Sequence, residues 1–318
     1  MAADRFGTWN NWFGYDPNPF FPIRYSVQSI DVPIPPGNVV NGVLVDIGGV
    51  QINDQGVIAG FTRLYSQGPN GRLVGASDFV INSGAVVSQT PATNYASAYN
   101  ALYKVPLVQT FQSVLGSNPL YQSPFAESAS GAYILGTQVN YSPAGVGLGD
   151  KNYVEHNGQF TTLTISTIGS QQVDDFVTLT AVNDQGVIVG WGDVLPNDSI
   201  MSFIYDHGKS SVISIAGATS TFATGINDAG EIVGYYTDIV AGHVYDHGFI
   251  DMNGKIQLFD IAGSTSTTIT GINDKGQIVG CYTTAVAPIG NVLNTGFPIY
   301  GSSGDHVFAA TPQTHASG

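Results

Sequence analysis

The sequence predicts an all-β fold, a β-propeller of five four-stranded blades whose ring is closed by an N-terminal strand. Three observations lead there. Forty glycines and sixteen prolines among 318 residues, with 10% charged against 43% hydrophobic side chains, disfavour a helical bundle and favour short strands joined by turns. A phrase of the form Ile-Asn-Asp-x-Gly-x-Ile-Val-Gly occurs four times, over Ile52–Gly60, Val182–Gly190, Ile226–Gly234 and Ile272–Gly280. The last three copies are spaced by 44 and 46 residues, the size of a propeller blade. A β-solenoid, the structural rival, repeats in shorter steps of about 20–30 residues.

Taken in order, residues 1–24 stand outside the repeat and carry Trp9, Trp12, Phe13, Tyr15, Phe20 and Phe21 beside prolines. They read as an arm packed on the ring, or alternatively as a plug or a partner surface. Tyr25–Pro33 alternates like the outermost strand of a blade yet precedes the first Asn-Asp phrase. It is therefore expected to complete the last blade, with His306–Ala310 as the alternative donor. Within each unit, strands A and B meet at Asn-Asp-x-Gly. Strands C and D meet at a second glycine turn, in Asp78–Gly84, Asn152–Gly158, Ser202–Gly208 and Gly248–Gly254, with Gly296–Tyr300 as a shortened fifth copy. Both are hairpin signals, because glycine supplies the positive φ that a tight turn or adjoining bulge needs. Ala129–Gly136 is a degenerate A–B copy and brings the count to five units. Residues 85–130 read as an inserted cap or a divergent blade. The propeller is expected over 25–300, with 301–318 as a tail.

A meander reverses at every turn, so the A–B and C–D turns share one face of the disc. The B–C loops and D-to-A crossings share the other. The copies differ most in the B–C segments, Phe61–Ser77, Thr137–Lys151, Trp191–Ser202, Tyr235–His247 and Cys281–Thr295. Variable loops on a rigid ring are the usual seat of recognition, which favours the B–C face.

Nine basic against twenty-three acidic residues give a net charge of −14, which leaves no footprint for nucleic acid and disfavours an anionic membrane. A lone cysteine, Cys281, excludes an internal disulfide framework. No apolar run reaches the ~18 residues of a membrane span. Met1–Arg5 lacks the apolar core of a secretory signal. The expectation is a mature extracellular or periplasmic form, with a cytoplasmic protein as the alternative.

Gly225–Tyr235, then His247-Gly248-Phe249-Ile250, then Phe259-Asp260-Ile261-Ala262-Gly263, resemble the bacterial HAF-type probable extracellular repeat. The resemblance is close over 176–300, fair over 25–84 and weak over 85–160. It implies an exported repeat protein and brings no catalytic residues.

Asp54, Asp184, Asp228 and Asp274 recur, but calcium takes about six to eight oxygens and each turn offers one Asp beside one Asn. These side chains read as Asx-turn formers, so no metal and no cofactor is expected, with a divalent cation such as calcium as the alternative. His243, Asp246 and His247 are the candidate catalytic residues. The His243-x-x-x-His247 spacing suits zinc on a helix and is uninformative elsewhere. Trp191, Tyr235 and Phe61 occupy one position after the strand-B glycine, where Cys281 breaks the series. They are candidates for stacking on a sugar, with packing between blades as the other reading. The function expected is a non-catalytic ligand-binding or structural propeller recognising a small molecule, glycan or protein partner. The alternative is a hydrolase with a central-channel or loop-face site.

Overall fold

A computed structural model of the chain describes residues 23–30, 32, 43–66, 73–91, 122–141, 147–196, 199–240, 243–284 and 306–313. Every regular element among them is a β-strand, and no helix among them is long and apolar enough to cross a membrane. Strand β1 (Tyr25–Ile30) comes first. The first blade is β2 (Val43–Ile52), β3 (Ile58–Ser66), β4 (Leu73–Asn82) and β5 (Ala85–Pro91). The second is β6 (Gln122–Glu127), β7 (Tyr133–Tyr141), β8 (Gly147–His156) and β9 (Gln159–Leu163). A two-residue β10 (Thr167–Ile168) edges the third blade of β11 (Gln171–Val182), β12 (Ile188–Val194), β13 (Ser199–Asp206) and β14 (Lys209–Ile213). The fourth is β15 (Ser220–Ile226), β16 (Glu231–Val240), β17 (His243–Met252) and β18 (Lys255–Phe259). The fifth is β19 (Ser266–Ile272), β20 (Ile278–Thr283) and β21 (His306–Pro312), with β1 paired antiparallel to β21 as its outer strand.

The closing strand is thus the N-terminal one, running in register from Tyr25 opposite Pro312 to Ile30 opposite Val307. His306–Pro312 is not the outer strand but strand C, so the ring extends beyond 300 and the expected tail contains part of the last blade. Gly296–Tyr300, read from sequence as that strand, lies outside the described residues. Strand β5 closes the first blade and β6 opens the second, so the expected insertion narrows to 92–121, outside the described residues, as are 1–22 of the arm.

Each strand-B glycine faces an aromatic ring of strand C. The pairs are Gly60 and Phe79, Gly136 and Tyr153, Gly190 and Phe203, Gly234 and Phe249, and Gly280 and Phe308. A ring lying over a glycine fills the space that the missing side chain leaves. Four of these rings, those of Phe79, Phe203, Phe249 and Phe308, are fully buried.

The repeated polar residues fasten blade to blade. Each Asn holds its own turn, as where Asn183 Oδ1 accepts the Gln185 and Val187 N–H groups, while its amide reaches the next blade. The Asn183, Asn227 and Asn273 amides donate to the carbonyls of Asn227, Asn273 and Asn53. The Asp side chains are acceptors in a second belt. The N–H groups of Asp184, Asp228 and Asp274 donate to Asp228, Asp274 and Asp54 Oδ1 over 2.8, 2.8 and 2.9 Å. In the second blade Ser130 takes the aspartate's part as donor, to Asp184. Deeper in, Thr180, Thr224 and Thr270 sit at bulges of strand A and donate to the Ala223, Ile269 and Val50 carbonyls. The Asx turn expected for the Asn is present, whereas the Asp reaches across to its neighbour.

Asn227→Ala removes the acceptor for the Glu231 N–H and the donor to the Asn273 carbonyl. Its expected cost is about 2 kcal/mol, because one hydrogen bond within the turn and one between blades are lost together, and urea denaturation with an unchanged m-value checks it.

Candidate functional site

The predicted catalytic residues share one strand, and the side chain of His243 lies outside the described part. His243, Asp246 and His247 lie on strand β17, not in a loop, because the β16–β17 ladder continues out to Val240 opposite His243. Four residues of strand separate the two histidine backbones by about 13 Å, which excludes a helix-like zinc pair. Asp246 and His247 are neighbours on a strand and point to opposite faces. The Asp246 backbone N–H bonds to Ser266 Oγ of the fifth blade, and burial pushes its carboxyl up to about 6. His247 instead joins Asp260, whose Oδ2 is 2.9 Å from Nδ1, and Asp238, whose Oδ1 is 3.7 Å from Nε2. Its ring stacks on Tyr236 at 5.2 Å. The Asp260 hydrogen bond raises the imidazole above its ordinary value, against burial and with help from the Asp238 and Asp246 charges. His247 is thus a partly buried imidazole held between two carboxylates of its own blade. Among the described residues no three His, Cys, Asp or Glu side chains stand together as metal ligands.

Trp191 and Tyr235 are packed inside, at 5% and 7% exposure, so neither offers a free face to a sugar. Trp191 meets Phe222 edge-on at 5.5 Å, and Phe222 stacks on Tyr235 at 4.7 Å, which joins the third and fourth blades. Cys281 fills the same position in the fifth blade and contacts the Ile47 carbonyl of the first. Packing is therefore what this position does in these blades. The side chain of Phe61 lies outside the described part.

Two cavities are lined by the described residues. One lies on the B–C face between the third and fourth blades and holds about 190 Å³. Its walls are Ser199, Ser214, Thr219, Ser220 and Thr221 on one hand and aliphatic side chains such as Leu195, Ile200 and Ile213 on the other. Among the described residues no charged side chain lines it. Around it the B–C ends are apolar. Leu195, Ile239 and Val244, exposed by 40%, 58% and 63%, all lie there, the last two as cross-strand partners at the tip of one hairpin. The B–C loops are shorter than the sequence implied, since β12 runs to Val194 and β13 starts at Ser199. This face is therefore formed by strand ends as well as loops.

The second cavity, of about 260 Å³, lies on the axis at the Asn-Asp turns and is lined by strand A of every blade. One ionisable group there has no counterpart in the other blades. Glu127 stands one residue before Ser128, where the others have Ile52, Val182, Ile226 and Ile272 before their asparagines. Burial alone pushes its carboxyl up to about 7. Attention to the Asn-Asp phrase concealed it, because the second blade lacks that phrase. The signal was the register, in which Glu127 faces Ile134 as Ile226 faces Ile232.

Glu127 and Asp246 bind a proton more tightly in the fold than free carboxyls do, and His247 likewise holds its proton above the ordinary value. The stabilisation from each is complete below its unfolded pKa and is lost as pH rises through the folded one. The melting temperature is expected to be higher at pH 5 than at pH 8. Glu127→Gln should narrow that gap by raising the pH 8 value, by on the order of 1 kcal/mol after allowance for solvent screening.

No protein-family model matches the chain, and no curated protein is similar to it in sequence. Among solved structures it is similar to TolB from Acinetobacter baumannii, at 11% identity and a TM-score of 0.35, over 86% of this chain and 64% of that one. It is similar to the α-L-arabinofuranosidase PaAbf62A from Podospora anserina, at 11% identity and a TM-score of 0.37, over 90% and 96% of the two chains. The β-propeller domain of the Trilobed protease from Pyrococcus furiosus matches at 10% identity and a TM-score of 0.28, over 73% and 76%. The chain's own strand order and ring closure make it a five-bladed propeller.

Proposed function

We propose that the protein is a non-catalytic binding propeller that recognises a neutral glycan on its B–C face. The observation that carries this reading is the cleft between the third and fourth blades, whose described lining is rich in hydroxyls and free of charge in a chain of net charge −14. A sugar presents hydroxyls at its edge and C–H groups on its faces, and such a ligand is matched by walls of Ser and Thr opposite aliphatic side chains. The repeated Asn, Asp and Thr residues are occupied in holding blades together, which leaves the B–C ends as the part free to vary. Resemblance to HAF-type repeats over 176–300 and the low content of charged residues support an exported protein.

Glycan-array binding tests the reading, followed by Ser220→Trp and Ser199→Trp, which fill the cleft from two sides. Each is expected to weaken binding tenfold or more with little change in melting temperature, because indole bulk excludes the sugar. Binding indifferent to both substitutions would remove the cleft from the account. Turnover in a hydrolase panel, with and without chelator, would replace binding by catalysis.

A further inference from the structure

The axis of the ring is built in tiers. One residue before each turn, the strands contribute Ile52, Glu127, Val182, Ile226 and Ile272, each opposite an isoleucine of strand B. Four members of this collar are apolar and buried. The fifth is a carboxyl whose Oε2 is sealed from solvent and has no hydrogen-bond partner among the described residues. Burying even one carboxyl oxygen without a partner is costly, and an aliphatic side chain serves this position in the other four blades. The ring itself therefore has no use for Glu127. The group lines the axial cavity, and among the described residues no Lys, Arg or His lines that cavity beside it. Asp54, Asp228 and Asp274 stand at the mouth, each with one oxygen occupied by a neighbouring turn. An anion is repelled here, an apolar neutral ligand leaves the carboxyl unpaired, and a neutral donor leaves its charge without a counter-ion.

We propose that the axial cavity binds a small aliphatic ammonium ion, with the Glu127 carboxylate as its counter-ion and its methylene stem against Ile52, Val182, Ile226 and Ile272. The site is separate from the B–C cleft and lies toward the opposite face of the disc. Collar and mouth are two residues apart along the strand, at most about 7 Å, which a four-carbon diamine spans.

The test is calorimetric titration of the full chain with 1,4-diaminobutane, and with butane-1,4-diol as the uncharged control. The diamine is expected to bind and the diol not to. Glu127→Gln and Glu127→Ile are each expected to weaken diamine binding about tenfold or more, because the counter-ion is gone. Glu127→Ile completes the apolar collar and should melt at or above the wild-type temperature, so its loss of binding is not a loss of fold. Were it to fold poorly, Glu127→Gln carries the same comparison. Wild-type affinity should rise between pH 6 and pH 8 as the carboxyl ionises. No binding of the diamine, equal binding of the diol, undiminished binding in the variants, or a flat pH profile would each overturn the proposal. Glycan binding on the other face is untouched by these outcomes, so the two readings fail separately.

Discussion

A chain lacking residues 1–31 is expected to lose the outer strand of the last blade and with it the closure of the ring. Strand β1 contributes a six-residue ladder to β21 and buries Ile30 against the first and fifth blades. Tyr25 meets Phe259 edge-on at 5.6 Å, and Ile23 exchanges two hydrogen bonds with the Gln257 side chain of the fourth blade. Ladder hydrogen bonds at about 1 kcal/mol each, together with the burial of one isoleucine and one tyrosine, place the loss at roughly 5 kcal/mol. That is a large part of the stability of an ordinary domain. A lower melting temperature and faster proteolysis of the fifth blade should follow, because β21 becomes an open edge. A synthetic peptide of residues 23–32 added in trans should restore part of the melting temperature. A truncated chain as stable as the full one would show that closure does not depend on this strand.

Gly234→Ala and Gly280→Ala are expected to be comparably damaging, for a different reason. A Cβ at Gly234 would stand 2.1 Å from the Phe222 carbonyl oxygen and 2.8 Å from the Phe249 ring. At Gly280 the distances are 2.0 Å to the Thr268 oxygen and 2.7 Å to Phe308. The carbonyls belong to the neighbouring strand and cannot retreat without opening the A–B ladder, and the rings are buried. Each substitution should cost about 3 kcal/mol or more, as overpacking against backbone does. Gly208→Ala is the contrast: its φ of 95° is strained for alanine, yet the added carbon meets nothing within 4 Å. Its cost should stay near 1–2 kcal/mol, the conformational penalty alone. Denaturant midpoints for the three variants separate steric from conformational loss.

Much of this was legible in the residues. Turns are local, and Asn-Asp-x-Gly, Asn157-Gly158 and Asn253-Gly254 announce them through the positive φ that they adopt. The blade count follows from the repeat, and the closing role of Tyr25–Ile30 from a strand placed before the first turn. Strand C of the last blade was also within reach. Asp305-His306-Val307-Phe308 repeats the spacing of Asp246-His247-Gly248-Phe249, and the ladder sets Phe308 opposite Gly280 as Phe249 stands opposite Gly234.

The sequence by itself determined the strands, their turns and the number of blades, since these depend on dihedral preference and alternation within a few residues. Only the tertiary structure decided what each conserved-looking side chain of the repeat touches. The Asn227 amide finds its partner in the next blade, 46 residues on, and the Asp228 carboxylate finds its own in the preceding blade, 44 residues back. Trp191 and Tyr235 are interior only because neighbouring blades cover them. Whether a carboxyl such as Glu127 meets water, a partner or neither depends on which strands the closed ring brings around the axis. No local pattern carries that information.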